Sequence, residues 1–260
     1  MDDLIYFALS AAGAATFWWR YRRRAGAGPK SLPAAQDEEL EIALHVAAHE
    51  ARARGQPLLP QHLLLSLAQS EPVAGAIRRA GGDAGAVEDR VFAALDAVTD
   101  RTPAGALRTS DPAAAALAMA AAIARHHGRA VACADLWFAL TRPPLGVAEL
   151  LDAAGVDPTA VLFVLAHGDA DGEPAADGEV ELILVNDDFS PQQLVVEVLR
   201  DALGLREDEA TRLMLKTHHE GHASLGRHSG AHARRARQSA STLARRQGYP
   251  LWIRAVPAGQ

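Results

Sequence analysis

The spacing of apolar positions changes along this chain of 260 residues. Between residues 38 and 168 apolar residues recur at helical spacing, which predicts an all-α domain. From Val180 the run VELILV predicts a buried strand. The remaining pattern predicts three helices and two short strands, at residues 191–203, 207–218, 229–247, 222–226 and 251–256. The order β-α-α-β-α-β predicts a small sheet covered by helices, so the chain is expected to be multi-domain, with an α+β domain after the helical one.

Two segments of the helical region repeat at an offset of 73 residues. ALHVAAHEARARGQPLLPQHLLLSL begins at Ala43, and ALAMAAAIARHHGRAVACADLWFAL begins at Ala116. Each copy has a helix, a glycine suited to a left-handed position, a loop and an apolar helix, followed by a third helical stretch at 73–80 or 147–153. In the second copy, Asp111 is predicted as the N-cap and Pro112 as the first helical residue.

The first residues predict a membrane anchor. Residues 4–19, LIYFALSAAGAATFWW, carry no charge and precede a cluster of arginines at 20–24. A helix of this length spans about 24 Å, and its tryptophans and arginines can extend its reach towards the roughly 30 Å hydrocarbon core. A signal peptide would carry its positive charge before the apolar run. Residues 1–24 are therefore predicted to span a membrane once, with the N-terminus outside and the domains in the cytoplasm.

Composition sets the remaining boundaries. Two segments of small, polar residues, 25–37 and the acidic 169–179, are predicted linkers between the anchor, the helical domain (38–168) and the C-terminal domain (180–260). A net charge of −6 gives no reason to expect nucleic-acid binding. The single cysteine, Cys133, excludes an internal disulfide and a cysteine-only metal cage. No G-x-x-x-x-G-K-[ST] phosphate loop is present, so ATP hydrolysis is not expected, and neither is any cofactor or metal.

The segment GQPLLPQHLLLSLAQ, beginning at Gly55, resembles the double-repeat N-terminal domain of the Clp unfoldases of the ClpA and ClpC type. In those proteins a T-x-x-H-L-L-L-A-L segment recurs, and here residues 60–67 stand in its place. The resemblance covers residues 38–168 and implies a docking module for adaptors and substrates, although no ATPase module follows in this sequence. For His62 the pattern favours a histidine bonded to backbone at a helix start over a catalytic residue.

A second resemblance rests on LILVNDDFSP, ATRLMLKTHHEGHASLG and GYPLWI, which occur in this order between residues 180 and 256. Together they resemble the ClpS adaptor family. The resemblance implies a non-enzymatic domain that binds proteins whose first residue is Leu, Phe, Tyr or Trp. It further implies delivery of those proteins to a separate AAA+ Clp unfoldase with its peptidase. With the predicted anchor, the expected location is the bacterial inner membrane.

Reading a protein N-terminus needs hydrogen-bond acceptors beside an apolar pocket. Asn186 offers a carbonyl oxygen, Asp187 a negative charge and neutral His218 a ring nitrogen, and such groups bind an ammonium far better than an acetylated amine. The resemblance assigns these three residues to the α-amine. Three neighbours, Asp188, Ser190 and Pro191, are predicted to support the loop and start the helix. The resemblance places the apolar pocket at Leu184, Gln192, Val195, Met214, Thr217 and Leu251.

The sequence departs from the ClpS pattern in three places. Gln192 stands where methionine is common, and Thr217 stands where an aliphatic residue is usual. A buried hydroxyl without a partner costs about 1–3 kcal/mol, so a shifted or narrowed preference among the bulky residues is predicted. The long third helix begins with AHARRAR rather than with acidic residues and a lysine. This stretch is predicted to be either a solvated face or an altered partner interface, at Arg234, Arg235 and Arg237.

Two other functions are open to this sequence. A membrane scaffold could sequester adaptors or substrates without delivering them. A zinc hydrolase would use His218 and His222, which are four residues apart. The zinc motif H-E-x-x-H is not present, and Gly221 is expected to end the helix between the two histidines, so the sequence favours the adaptor over the enzyme.

Overall fold

The computed structural model describes residues 37–103, 106–168 and 178–257. These residues form two compact units that divide between Asp157 and Pro158, and we call them the repeat unit and the C-terminal unit. The predicted membrane segment and most of both predicted linkers lie outside the described residues. Among the helices that are described, none has both the length and the apolar character needed to cross a bilayer.

The repeat unit is helical throughout its regular elements, which confirms the predicted class of this region. Its helices are α1 (Glu38–Ala53), α2 (Pro60–Gln69), α3 (Glu71–Arg79), α4 (Ala84–Asp96), α5 (Asp111–His126), α6 (Cys133–Leu140) and α7 (Val147–Ala153). The apolar pattern did not predict α4. Helix α2 lies at the centre of the unit, because it packs against α1, α3 and α4 of its own copy and also against α5, α6 and α7. Its leucines are accordingly buried, at positions 63, 64, 65 and 67.

The helices of the two copies are bounded by glycines in the left-handed conformation and by capping residues. Gly55 and Gly128 have φ angles of 62° and 64°, which confirms the predicted left-handed glycine after each first helix. The predicted N-cap at Asp111 is wrong by one residue. The N-cap is Ser110, whose backbone is extended and whose side chain accepts from the N–H of Ala113 at 3.3 Å. A serine hydroxyl already in reach of the first turn leaves Asp111 free to be the first helical residue.

The C-terminal unit contains one helix followed by the predicted β-α-α-β-α-β order. Its elements are α8 (Pro158–His167), β1 (Glu179–Val185), α9 (Gln192–Leu203), α10 (Glu207–Glu220), β2 (His222–Ser229), α11 (Gly230–Arg246) and β3 (Trp252–Pro257). The strands form an antiparallel sheet in the order β2-β1-β3, so β1 is central. This confirms the predicted α+β class. Helix α8, which the repeat pattern had placed in the helical domain, lies in this unit.

The core of the C-terminal unit lies between the sheet and its helices. Alternate residues of β1 are buried, as expected for a strand with one covered face. Helix α11 contributes a stripe of small side chains to the same core, at Ala233, Ala236, Ala240 and Ala244. Small residues at helical spacing let α11 pack closely on α9 and on the sheet. The last residue of β1 is therefore held at the edge of a well-packed core, where the predicted binding residues follow.

Candidate functional site

The end of β1 is tied to both neighbouring strands and to the end of α10. Val185 pairs with His222 of β2 and with Trp252 of β3. The next residue, Asn186, donates its backbone N–H to the carbonyl of Gly221 at 2.9 Å. Gly221 ends α10 with a φ of 82°, a conformation that favours glycine. The loop after β1 is thus anchored three residues from His218, which lies on the last turn of α10.

Asp187 organises the turn that follows. Its Oδ1 accepts from the backbone N–H groups of Phe189, at 2.8 Å, and of Ser190, at 2.6 Å. An aspartate that accepts from residues two and three positions later forms a self-contained turn. The structure therefore gives Asp187 a structural role that the sequence had placed on its neighbours.

The predicted helix cap is corrected by the same geometry. Pro191 is the N-cap of α9 rather than its first residue, and its own side chain makes no capping hydrogen bond. Asp187 already accepts from the N–H of Ser190, and the Ser190 hydroxyl is buried with no hydrogen-bond partner among the described residues. Ser190 is therefore not a capping residue. Asp188 is half-buried in the same turn.

Helix α10 carries three of the predicted site residues towards its end. Met214 and Thr217 are buried, whereas His218 is exposed. The Thr217 hydroxyl donates to the carbonyl of Leu213, one helical turn back, at 2.9 Å. This bond satisfies the hydroxyl locally, so the cost that was predicted for an unpartnered hydroxyl does not arise. Of the two departures in the pocket set, only Gln192 then gives a reason for altered specificity.

The remaining residues of the predicted pocket lie at the edge of the core. Leu184 and Leu251 belong to the core, with 1% and 5% of their surface exposed, and Val195 packs against it. Gln192 is exposed on the first turn of α9, three residues before Val195. The predicted set therefore combines core residues with one exposed side chain that is free to face a ligand. A separate open depression of about 770 Å³ is lined by Arg200, Leu205, Arg206, Glu207, Asp208 and Thr211 and includes none of the predicted residues.

Residues that the sequence did not single out lie beside this site. His167, the last residue of α8, contacts the carbonyl of Pro250 through Nε2 at 2.8 Å. The centroid of its ring lies 5.2 Å from the ring centroid of Trp252. The ring centroid of Phe163 lies 4.9 Å from that of His167 and 5.9 Å from that of Trp252. Burial lowers the pKa of His167, while the Pro250 carbonyl and the Asp187 carboxylate act in the opposite direction. No linear signal predicted this cluster, because the residues before β1 read as the end of the helical domain and a linker.

The arginines of α11 divide into two kinds. Arg237 is half-buried and donates through Nε to the carbonyl of Ile253 in β3 at 2.8 Å. Arg234 and Arg235 are exposed. Arg237 therefore supports the edge strand of its own unit, whereas Arg234 and Arg235 lie at the surface of α11.

The geometry required for the zinc alternative does not form. His218 belongs to α10 and His222 begins β2, with the left-handed Gly221 between them, so the two rings are not one turn apart on a helix. Across residues 37–103, 106–168 and 178–257, no group of three His, Cys, Asp or Glu residues is arranged to hold a metal ion.

In the repeat unit, the backbone interpretation of His62 is confirmed. His62 is fully buried, and its Nδ1 accepts from the N–H of Leu59 at 3.1 Å, which is the residue before the first turn of α2. Burial lowers its pKa to about 4. The residue at the same position of the second copy, Asp135, accepts from the N–H of Ala132 at 2.8 Å. Both residues therefore serve the start of their own helix.

Comparison with known proteins agrees with both units. Residues 176–254 match the family "ATP-dependent Clp protease adaptor protein ClpS", and residues 36–132 match the family "Clp repeat (R) N-terminal domain". The Clp protease adapter protein ClpS 1 of Rhodopseudomonas palustris is 36% identical over 77 residues, which are 30% of this chain and 75% of that protein. ClpS of Nitrosomonas eutropha is 39% identical over 71 residues, which are 27% of this chain and 69% of that protein. A solved structure of Agrobacterium tumefaciens ClpS2 bound to L-phenylalaninamide is 27% identical, covers 31% of this chain and 98% of that chain, and gives a TM-score of 0.30.

The class of protein defined by this fold and these matches is a non-catalytic adaptor of the Clp protease, preceded by a Clp repeat domain. The chain belongs to the ClpS family through its C-terminal unit. The predicted pairing of the two domain types in one chain is confirmed, and the protein is not an enzyme.

Proposed function

We propose that this protein binds polypeptides that carry a free α-amine on an N-terminal Leu, Phe, Tyr or Trp, and that it presents them to a separate Clp AAA+ unfoldase with its peptidase. One observation carries the proposal. The hydrogen bond from the Asn186 N–H to the Gly221 carbonyl brings the loop after β1 to the end of α10, which supports a shared site for Asn186, Asp187 and His218 at this edge of the core. Leu184 and Leu251 contribute the apolar side of that edge.

The polar groups suit an ammonium ion. Asp187 uses Oδ1 for its own turn, and the negative charge of the carboxylate remains available to a cation. Asn186 is half-buried and His218 is exposed, so neither side chain is enclosed in the core. An acetylated N-terminus is uncharged and keeps only one N–H donor, so it cannot make the charge-assisted hydrogen bonds that these acceptors offer an ammonium group.

The test is a binding titration with a matched peptide series. The peptides share one sequence after position 1, begin with Leu, Phe, Tyr or Trp, and include an acetylated Leu peptide and an Ala peptide as controls. We expect the wild-type chain to bind the four free peptides and neither control. The double variant Asn186→Ala/His218→Ala is expected to bind at least about 100-fold more weakly, since two hydrogen bonds to a charged group are lost.

His219→Ala provides the matched control for this variant, because His219 is an exposed histidine on the same helical turn as His218. Its affinity should equal that of the wild type. Equal binding of free and acetylated peptides, or undiminished binding by the double variant, would contradict the proposal. Gln192→Met in the same titrations shows whether Gln192 sets the order of affinities among the four residues.

Delivery and sequestration of substrates have opposite effects on the rate at which those substrates are degraded. The Clp repeat domain gives a specific reason to consider sequestration, because it is the kind of domain that unfoldases themselves carry. With an unfoldase, its peptidase and a reporter bearing N-terminal Leu, a delivering adaptor increases the rate of degradation. A competitor decreases that rate, and the Asn186→Ala/His218→Ala variant distinguishes competition for substrate from competition for the unfoldase.

We also propose that residues 4–19 tether the chain to the inner membrane of a bacterium, with both domains on the cytoplasmic side. The uncharged run and the arginines after it support this proposal. The chain should stay in the membrane fraction after carbonate extraction, and deletion of residues 4–19 should release it. Cleavage of the C-terminal domain by protease added outside the cell would contradict the orientation.

A further inference from the structure

The end of α8 lies against the segment that carries one of the pocket residues. The contact from His167 Nε2 is to the carbonyl of Pro250, and Pro250 directly precedes Leu251. On one side this segment is held by the bond from Tyr249 N–H to the carbonyl of Ala244. On the other side it enters β3, where Trp252 pairs with Val185. The contact from His167 therefore lies between the hydrogen bond of Tyr249 and the strand pairing of Trp252. It is made to the peptide group that joins Pro250 to Leu251 and so orients Leu251.

The chemistry of the contact shows which ring nitrogen of His167 carries a proton. A carbonyl oxygen only accepts, so Nε2 must carry the proton and donate it. The ring also packs against Trp252, and Phe163 packs edge-on against that indole. Proline at position 250 has no backbone N–H, so its carbonyl is the only backbone hydrogen-bonding group that this residue offers.

The electrostatic setting favours a neutral ring at neutral pH. Burial lowers the pKa of His167, and it outweighs the opposing effects of the Pro250 carbonyl and the Asp187 carboxylate. A neutral imidazole donates to Pro250 without bringing a cation towards Asp187. The charge of Asp187 is then left for another cation.

We infer that His167 is a positioning residue for the binding site at the end of β1, acting through its hydrogen bond to Pro250 and its packing on Trp252. This inference rests on the proposed function. It also assigns α8 to the substrate-binding module, although α8 lies before the residues that match the ClpS family, 176–254. The module of this chain then begins at Pro158, where the C-terminal unit begins.

The experiment compares His167→Ala and His167→Gln in the full chain with the peptide that begins with Leu. Loss of one orienting hydrogen bond should weaken binding by about 3- to 10-fold in His167→Ala. Glutamine has a side-chain N–H that can donate to the Pro250 carbonyl, so His167→Gln should regain most of the lost affinity. His219→Ala again serves as the control histidine. Unchanged binding by His167→Ala, or equal losses in both variants, would overturn the inference.

A second measurement does not need a peptide. Hydrogen exchange of the backbone amides at residues 251–253 should be faster in His167→Ala than in the wild type, and restored in His167→Gln. Exchange in α1 to α4 should be unchanged. If the wild type binds no peptide of the series, the proposed function fails, and the exchange data still decide whether His167 fixes this segment. Exchange that is unaffected in His167→Ala would overturn the positioning role, even if that variant bound more weakly.

Discussion

Histidine and aspartate differ in burial and hydrogen bonding between the two units of this chain. In the repeat unit, His62 and Asp135 are 0% exposed, and each accepts a hydrogen bond from the backbone at the start of its own helix. At the end of β1, Asp187 is half-buried and His218 is exposed. There Oδ1 of Asp187 accepts the two backbone hydrogen bonds that form its turn. The same residue types are used by the fold in one unit and stay accessible at the proposed binding site in the other.

The difference follows from the cost of burial. A buried polar atom without a partner costs about 1–3 kcal/mol, so most buried polar groups are hydrogen-bonded within the folded chain. A polar group at the surface has no such requirement, because water satisfies it until a ligand arrives. Burial and hydrogen bonding together therefore separate structural from functional candidates better than residue type does, and this rule can be tested in both units.

The largest effect is expected from Asp135→Ala. Asp135 accepts from Ala132 N–H and is joined to Arg129 by two hydrogen bonds, at 2.6 and 2.8 Å. Removing a buried carboxylate that serves three donors should lower the free energy of unfolding of the repeat unit by about 3 kcal/mol. Urea unfolding of the full chain, followed by pulsed hydrogen exchange, reports on this unit separately. Peptide binding by the C-terminal unit should not change.

Asp135→Asn is the matched variant, because its amide oxygen can still accept from Ala132, while the charge and one of the two oxygens that bind Arg129 are lost. It should lose less stability than Asp135→Ala. If Asp135→Ala left the repeat unit as stable as the wild type, a fully buried aspartate would not be structural here. The contrast between the two units would then fail.

Much of this architecture was predictable because it depends on periodic patterns. The apolar run VELILV, helical spacing elsewhere and the offset of the two copies predicted the β-α-α-β-α-β order and the doubled helical region. Gly55 and Gly221 were predicted as helix ends because few other residues adopt a left-handed conformation easily. The strand, the helices and their glycine ends are each encoded within a short segment of sequence, so they can be recognised without knowing the fold.

What could not be predicted depends on contacts between distant segments or on choices among neighbours. Asp187 rather than Asp188 or Ser190 holds the turn, and nothing in N-D-D-F-S distinguishes the two carboxylates before their geometry is known. The partner of the Thr217 hydroxyl lies one helical turn back, where any threonine in a helix can find one. His167 meets Pro250 across 83 positions of sequence, and no spacing rule connects them.

Asp187 tests the comparison within a single side chain, since it holds the turn and is also a residue of the proposed binding site. Asp187→Asn keeps an oxygen acceptor for the turn and loses the charge, so binding of the Leu peptide should weaken by about 10-fold with little change in stability. Asp187→Ala removes both and should also destabilise the C-terminal unit by about 1 kcal/mol. Titrations at two salt concentrations measure the charge effect, which should be smaller at high salt.

Asp188→Asn is the neighbouring control for Asp187. A loss of affinity in Asp188→Asn equal to that in Asp187→Asn would mean that the loop acts through its total charge rather than through one positioned carboxylate. Equal stability of Asp187→Ala and the wild type would show that the turn does not need the two hydrogen bonds to Oδ1.

The smallest effect concerns the protonation of His62. Its pKa in the folded chain is about 4, below the ordinary value of 6.5, because burial disfavours the charged ring. Between these two values the unfolded chain takes up the proton and the folded chain does not. The contribution of His62 is therefore complete above pH 6.5 and declines as the pH falls towards 4. The expected decrease in the unfolding free energy of the repeat unit is about 1 kcal/mol from pH 7 to pH 5.5.

His62→Gln isolates this contribution. Glutamine at this position can accept from the N–H of Leu59 but does not titrate, so the difference in stability between wild type and variant should change with pH only through His62. Comparing the two proteins also cancels the titration of His45, whose pKa is likewise lowered by burial. The nearby charges of Glu50 and Arg54 are the same in both proteins and cancel as well. Peptide binding in the same pH range should be equal in the two proteins. A difference in stability that stayed constant from pH 7 to pH 5.5 would show that His62 is not held neutral by burial.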